Sequence, residues 1–415
     1  MISILQNIAL PPTATFSQTS SVGEPSVGSS AGRIFFSGNW YASESTDNGQ
    51  TWSFISPVNH LPPPSSGGFC CDQTVLYDKS RNIFIWVLQY IENGTENVMR
   101  IAIKKGNDDN DAWYWWDFTP ADVNSAWSNE WFDYNHAALS DNFLYVGSNT
   151  FSTVGSQSWK RYVLLRMPLD DLAQNGNLNF NFFQTTNDFS LRCVQGATST
   201  MYFASHASTR KLRVFSWDES SDQVQQRDIT VTRWSDVDPS TGGYTSKCPD
   251  NKDWLARCDS RITAGWFAKG VIGFMWTTNR KGSRQHPHVR TVRINASTFK
   301  VLSQPDIWNV DYAYAYPDVT PNDNGDVGIV LFRGGGNKFP SLVAGNFNES
   351  TKRWNLKAII QSTHGPADKK WGDYITCRKH SDGKSWIGAG FTLEGGNTRD
   401  FIVPRYVRFE MVPTS

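Results

Sequence analysis

The sequence predicts an all-β protein, a single-domain seven-bladed β-propeller whose ring is closed by its own N-terminal strand. Three observations carry this. The 415 residues are 14% aromatic, and the 39 acidic side chains comprise nine Glu and thirty Asp. Aromatic and β-branched residues fit a pleated sheet, while Asp, Asn and Gly make turns and helix formers such as Glu are sparse. A unit of strands and polar turns recurs seven times, at a mean spacing of about 58 residues. One segment, Ser45-Thr-Asp47-Asn-Gly49-Gln-Thr51-Trp52, matches the pattern S-x-D-x-G-x-T-W at every defined position.

The elements follow in order. Blade 1 (15–60) opens at Glu24-Pro-Ser-Val, with Arg33-Ile-Phe-Phe-Ser as its second strand. Blade 2 (68–120) pairs Cys71-Asp-Gln-Thr-Val-Leu-Tyr with Ile83-Phe-Ile-Trp-Val. Blade 3 (130–187) pairs Asp133-Tyr-Asn-His-Ala-Ala-Leu with Phe143-Leu-Tyr-Val-Gly, and blade 4 (190–233) pairs Val194-Gln-Gly-Ala with Met201-Tyr-Phe-Ala-Ser. Blade 5 (257–308) uses Ser260-Arg-Ile-Thr-Ala and Val271-Ile-Gly-Phe-Met. Blade 6 (312–362) uses Tyr316-Pro-Asp-Val-Thr and Val327-Gly-Ile-Val-Leu. Blade 7 (368–412) uses Gly372-Asp-Tyr-Ile-Thr and Ser385-Trp-Ile-Gly-Ala. A four-stranded unit in seven copies is a propeller, which leaves only short protected sheet edges. Blade 7 shows three strands, so the apolar segment at 2–8 is expected to supply its outer one.

Charge and cysteine usage bound the function. With 39 basic and 39 acidic residues the formal net charge is zero, which argues against nucleic acid as a partner. No apolar run approaches the roughly 18–20 residues of a membrane helix. Cys248 and Cys258 flank a polar loop at a spacing that suits a stapling disulfide; adjacent Cys70 and Cys71 form a vicinal bond or point to opposite sides of a strand. No Cys or His spacing suggests a zinc site. Sequons at Asn93, Asn295 and Asn348 fit a secreted protein. The N-terminus has no basic region followed by a long apolar one. The expectation is an extracellular monomer whose signal peptide has been removed and replaced by an added Met.

Ligands bind a propeller where the inner strands begin and where second strands turn into third ones. Those positions hold Asp72, Gln73, His136, Gln195, Arg261, Tyr316, Asp318, Trp371, Asp373 and Tyr374. The loops add Gln89, His206, Arg210, Arg284, His286 and Arg333, and the insertion at 234–254 adds Tyr244 above the same face. No Glu falls at an obvious site position. A glycosidase needs two carboxylates, one of them protonated; Asp72, Asp318 and Asp373 could serve, although inner-strand Asp often bonds loop amides. A sialidase would need an Arg-Ile-Pro motif, and the chain reads Arg33-Ile-Phe. A uronate lyase needs a base, an acid and a cation at the carboxylate, which His, Tyr and Arg supply. The same residues also make a sugar-binding surface without catalysis.

The hairpin at Ser45–Trp52 is an Asp-box, found in sialidase-like propellers on the side opposite the active face, so it is structural. Segments Cys71-Asp-Gln-Thr-Val-Leu-Tyr-Asp, Asp133-Tyr-Asn-His-Ala-Ala-Leu-Ser-Asp-Asn-Phe-Leu-Tyr-Val, Ser260-Arg-Ile-Thr-Ala-Gly-Trp and Trp371-Gly-Asp-Tyr resemble a known enzyme family. It is that of the fungal L-rhamnose-α-1,4-D-glucuronate lyases and their bacterial relatives, which cleave plant-gum side chains and include some described as hydrolases. More distantly the chain is similar to the propeller-type ulvan lyases, which use His and Tyr as acid and base with Arg as neutraliser. The resemblance implies β-elimination at a uronate in an acidic polysaccharide such as gum arabic. It implies His136 as base or acid, with Tyr244 and His206 next. Arg261 would grip the carboxylate, with Arg210 and Arg284 behind it. His286, Gln195, Tyr316, Arg333, Trp371 and Tyr374 complete the expected substrate contacts. No cofactor is required; a calcium ion in the central channel is compatible with the fold, but no ligand loop demands it.

The alternatives are a glycoside hydrolase of the same linkage, on Asp72, Asp318 or Asp373, and a carbohydrate-binding lectin. Repeated binding motifs mark propeller lectins, and the seven openings here differ. The aromatic excess divides in two: Trp86, Trp113, Trp115, Trp116 and Trp276 are expected between blades, and Trp371, Tyr316, Tyr374 and Tyr244 on the ligand face.

Overall fold

Seven four-stranded antiparallel sheets account for all the strands of the computed structural model, which describes residues 1–10, 23–64, 67–106, 112–237, 243–367, 369, 371–395 and 402–412. The expected start of blade 1 at 15 and the stretch 238–242 of the insertion lie outside the described residues. Within six sheets the strands follow chain order. In the seventh, Ile2–Ala9 lies outside Ile402–Met411, with Ile2 opposite Met411 and Ala9 opposite Arg405. The propeller is therefore closed by the N-terminal strand. Among the described residues three short helices, Pro57–His60, Pro120–Val123 and Leu169–Gln174, sit in connections, and none is long and apolar enough to cross a membrane.

The inner strands are Ser26–Ser29, Phe69–Asp78, Glu130–Leu139, Arg192–Cys193, Ile262–Ala268, Ala313–Pro321 and Thr376–Lys379. Each begins at one face, here called upper, and the second strand returns to it. Three of these strands share one irregularity: their pairing slips between Cys70 and Gln73, Asp133 and His136, and Ala315 and Asp318. The first of the two residues inside each slip has a positive φ: Cys71 at 51°, Tyr134 at 61° and Tyr316 at 55°. A β-bulge of this kind bends the strand and re-aims the next side chains. It turns Asp72 and its counterparts at the channel mouth.

Aromatics fill the wedges between blades. Phe35 of blade 1 meets Trp86 and Trp113 of blade 2 at 5.0 and 5.3 Å between ring centres, and Trp86 is fully buried. Trp266 is accommodated because Gly273 lies opposite, where a Cβ would stand 2.1 Å from the indole. The Asp-box hairpin is on the lower side: Asp47 Oδ1 accepts the Thr51 N–H (2.8 Å), Ser45 Oγ accepts the Gly49 N–H (2.8 Å), and Trp52 packs on Tyr406 of blade 7.

The cysteine pairing differs from the expected staple. Cys70 and Cys71 are joined, whereas Cys248 and Cys258 are free and buried. Their sulfurs have separate surroundings, because Cys248 faces Gly365 while Cys258 is directed at the Asp259 carbonyl. The loop is held by other means: Cys248 N–H donates to Lys252 O (2.8 Å), and Asp253 Oδ1 accepts from the amides of Ser246 and Leu255. Its Trp254 and Tyr244 are packed into the apolar core of blades 6 and 7 rather than left above the face.

Candidate functional site

The strands of blades 1, 2, 3 and 7 bring four carboxyl groups to the upper mouth of the channel. Glu24, just before the inner strand of blade 1, is 6% exposed. Its Oε2 accepts Asn39 Nδ2 (2.7 Å) and its Oε1 accepts the Asp373 N–H (2.9 Å). Burial, and then the charge of Asp373, pushes the Glu24 carboxyl up to about 7. Asp72 is half-buried and hydrogen-bonded to Glu24, and burial followed by Glu24, Asp133 and Asp373 raises it well above the ordinary carboxylate range. Asp133 Oδ1 accepts Gln89 Nε2 (3.2 Å), and burial raises this carboxyl also. Like charges held away from water resist ionising together, so burial and mutual repulsion both favour the protonated form of this pair.

Arg261 is the cation of the mouth. Its guanidinium binds Asp259 (2.7 Å) and Asp373 (3.3 Å) and lies 4.2 Å from the centre of the Tyr134 ring. Tyr134 stands edge-on to Tyr374, whose hydroxyl donates to Gln73 O (3.4 Å). The vicinal Cys70–Cys71 pair immediately precedes Asp72 and is half-exposed beside it.

Below the carboxylates the channel is plugged. Asp318 accepts Arg192 (3.1 Å) and Arg378 (3.1 Å) together with the Cys377 N–H (2.8 Å). His136 lies at this level, 5% exposed, with Nε2 3.2 Å from the Tyr162 hydroxyl. Burial first, and then the two arginines, holds its imidazole well below the ordinary range, hence neutral. Among the described residues no group of three or more His, Cys, Asp or Glu is placed to hold a metal ion.

The remaining expected site residues divide sharply. Arg261 and Tyr374 are at the mouth. His206 is not: it is wedged between Trp234 and Trp276 (4.6 and 4.9 Å), its Nε2 bonded to Ser260 O, and burial pushes it down to about 4. Tyr244 is 1% exposed and donates to Thr277 O (3.2 Å), so it reaches no ligand. Tyr316 and Trp371 are core residues, packed around Trp254. Gln195 bonds Ala137 O (3.1 Å) and belongs to the lower mouth, because its strand begins earlier than the repeat phase suggests. Arg333 packs on Tyr312, and Arg210, Arg284 and His286 lie on the upper rim at blades 4 and 5. Asp318, read as a candidate acid, is fully engaged by two arginines.

Sequence reasoning missed Glu24 and Asp133 as site residues. Both stand in the quoted repeat openings, where an acidic residue at the start of the opening was the available signal; Pro25 disguised Glu24 as a turn residue.

No protein-family model matches the chain, and no curated protein matches it. Solved structures do match. A puromycin hydrolase is 11% identical with a TM-score of 0.51, covering 92% of this chain, which spans 52% of that protein's length. An α-L-arabinanase from Penicillium chrysogenum, solved with arabinobiose, is 10% identical over 98% of both chains with a TM-score of 0.46. A Trypanosoma rangeli sialidase is 11% identical over 84% of this chain and 60% of its own, with a TM-score of 0.46. At these identities the likeness is one of fold.

Proposed function

We propose that the chain is an extracellular glycan-cleaving enzyme, a glycoside hydrolase working at the upper mouth with carboxyl groups. The observation that carries this is the carboxyl cluster of the mouth, where buried Glu24 is held by Asn39 and the Asp373 N–H with Asp72 beside it, and where burial raises both carboxyls. Hydrolysis of a glycosidic bond needs one protonated carboxyl to release the leaving oxygen and one anionic carboxylate to attack carbon or to activate water. Asp72 faces solvent and donates; Glu24 behind it keeps the pair protonated. Asp373, salt-bridged to Arg261, is the anionic partner. Tyr134 and Tyr374 are buried beneath the mouth, where they support Arg261 and the strand of Gln73, and the half-exposed vicinal disulfide stands beside Asp72.

Elimination at a rhamnosyl-glucuronate, which the family resemblance implies, finds less support in this geometry. Its expected proton carriers His206 and Tyr244 are locked in the core, and His136 bonds Tyr162 beneath the mouth. Arg261 is already matched by two aspartates, and the carboxyl groups around it disfavour an anionic sugar there. Gum arabic and neutral arabinan or galactan fragments, incubated with the protein, separate the readings. New reducing ends without ultraviolet absorbance support the hydrolase, whereas the absorbance of an unsaturated uronate establishes the lyase. Binding without product makes the chain a lectin. Secretion fits the vicinal disulfide and the sequons, whose asparagines all sit in Asx turns with Oδ1 accepting from the Ser or Thr two residues on.

A further inference from the structure

The upper rim between blades 4 and 5 carries a second concavity, separate from the carboxyl groups of the mouth. It encloses about 320 Å³ between the chain leaving blade 4 and the loop joining the second and third strands of blade 5. Four cationic side chains line it: Arg233, Lys281, Arg284 and Arg290. One carboxylate answers them, as Asp306 pairs with Arg284 and with Arg290 (3.2 Å). Lys281 Nζ donates to the Arg233 carbonyl (2.7 Å), and among the described residues no carboxylate pairs with either charge. Burial and the neighbouring charges of Arg233, Arg290 and Arg210 lower its ammonium accordingly. Nearby Asp236 turns its carboxylate to the Ser260 hydroxyl (2.7 Å). His288 brings no charge, since burial and then Arg284 push its imidazole down to about 3.

Two buried donors in this wall have no acceptor among the described residues: Nε1 of Trp234, 3% exposed, and Nε of Arg290, 6% exposed. A buried donor left unpaired is costly, and an anion's oxygen relieves that cost. We infer that this rim cavity is a subsite for a sulfate ester on the glycan that the mouth cleaves. The donors arise on three chain segments, the exit of blade 4, the 279–287 loop and the strand His288–Asn295. They surround an anion rather than present one flat fork. A planar carboxylate is satisfied by a single bidentate guanidinium, whereas a tetrahedral sulfate distributes its oxygens over several donors. Trp234 links the cavity to the mouth by packing on His206, which bonds the carbonyl of Ser260, the residue before Arg261. The glycan part of this assignment rests on the hydrolase reading; anion binding at the rim does not.

The test is calorimetric titration of the full chain with sodium sulfate and, separately, with sodium acetate at low ionic strength. One saturable site is expected for sulfate, with acetate about tenfold weaker or more. R233A/K281A should lower sulfate affinity about tenfold or more, while R353A on the outer strand of blade 6 leaves it unchanged. All three positions are exposed, and an unchanged circular dichroism spectrum verifies the fold. Non-saturable binding, or equal binding by the double variant, overturns the subsite; acetate binding as tightly as sulfate overturns its tetrahedral ligand. Sulfate binding by a protein inactive on every glycan would refute the hydrolase reading and retain the anion site.

Discussion

Glu24 Oε1 accepts the backbone N–H of Asp373 at 2.9 Å, so the buried carboxyl of the first blade is bonded to the last blade across 349 residues of sequence. The bond stands where the ring closes, and it fixes two of the four carboxyl groups of the mouth relative to each other. Closure of the fold and assembly of the site are the same event.

Replacing Asp72 removes the solvent-facing acid. D72N should lower kcat by about 10²–10⁴ with KM little changed, measured by reducing-end release. An equal fall for D318N without loss of stability would place the chemistry lower in the channel. D318N is instead expected to destabilise by about 3–5 kcal/mol, because it leaves Arg192 and Arg378 buried without their carboxylate.

The Glu24 proton sets a pH signature. Its folded value of about 7 lies above the ordinary 4.5, so the folded state holds more protons than the unfolded one between these values. Stability from this group therefore declines as pH rises from 4.5 to about 7, by an amount on the order of 3 kcal/mol. Chemical denaturation of E24Q at several pH values should show that decline flattened. In the same variant Asp72 loses a like charge, and the alkaline limb of the pH–rate profile should move to lower pH; an unmoved limb would assign the acid elsewhere.

Three buried imidazoles act in the opposite direction. His136, His206 and His288 are all held below the ordinary 6.5, the latter two at about 4 and about 3. The unfolded chain gains protons first, so their contribution is complete above 6.5 and is lost as pH falls. Each adds a slope of up to about 1.4 kcal/mol per pH unit below that point. H206F, which fills the space between Trp234 and Trp276, should remove its share of the acid sensitivity in thermal melts taken between neutral and acid pH.

Trp371 separates packing from recognition. W371A should cost about 3–5 kcal/mol, as for other buried large aromatics, since it opens the cluster with Phe332, Phe391 and Trp254. Its KM should be unaltered at temperatures where the variant remains folded. A raised KM with full stability would return this residue to the ligand face.

The cysteines give a discriminating pair. C248S/C258S should map like the parent under non-reducing conditions, whereas C70S/C71S loses the peptide whose mass rises on reduction. A linked peptide containing Cys248 and Cys258 would reinstate the staple.

Much of this was legible in the chain. The seven openings, the Asp-box and the spare apolar segment at 2–8 determine the propeller and its closure, because strand periodicity and turn chemistry are local and survive without contacts. The inventory at the inner-strand starts likewise held Asp72, Arg261, Asp373 and Tyr374. Burial and partner choice were not legible. Tyr244, Tyr316 and Trp371 share the composition of a sugar-binding surface but pack inward, and Gln195 lies at the other mouth. The bulges at Cys71, Tyr134 and Tyr316 aim the following side chains, and only the folded ring sets Glu24 beside Asp72 and Asp373. The sequence by itself determined which carboxyls and cations could gather; the tertiary structure decided which of them are buried against one another. Desolvation and charge coupling depend on distance through space, which the order of residues along the chain does not contain.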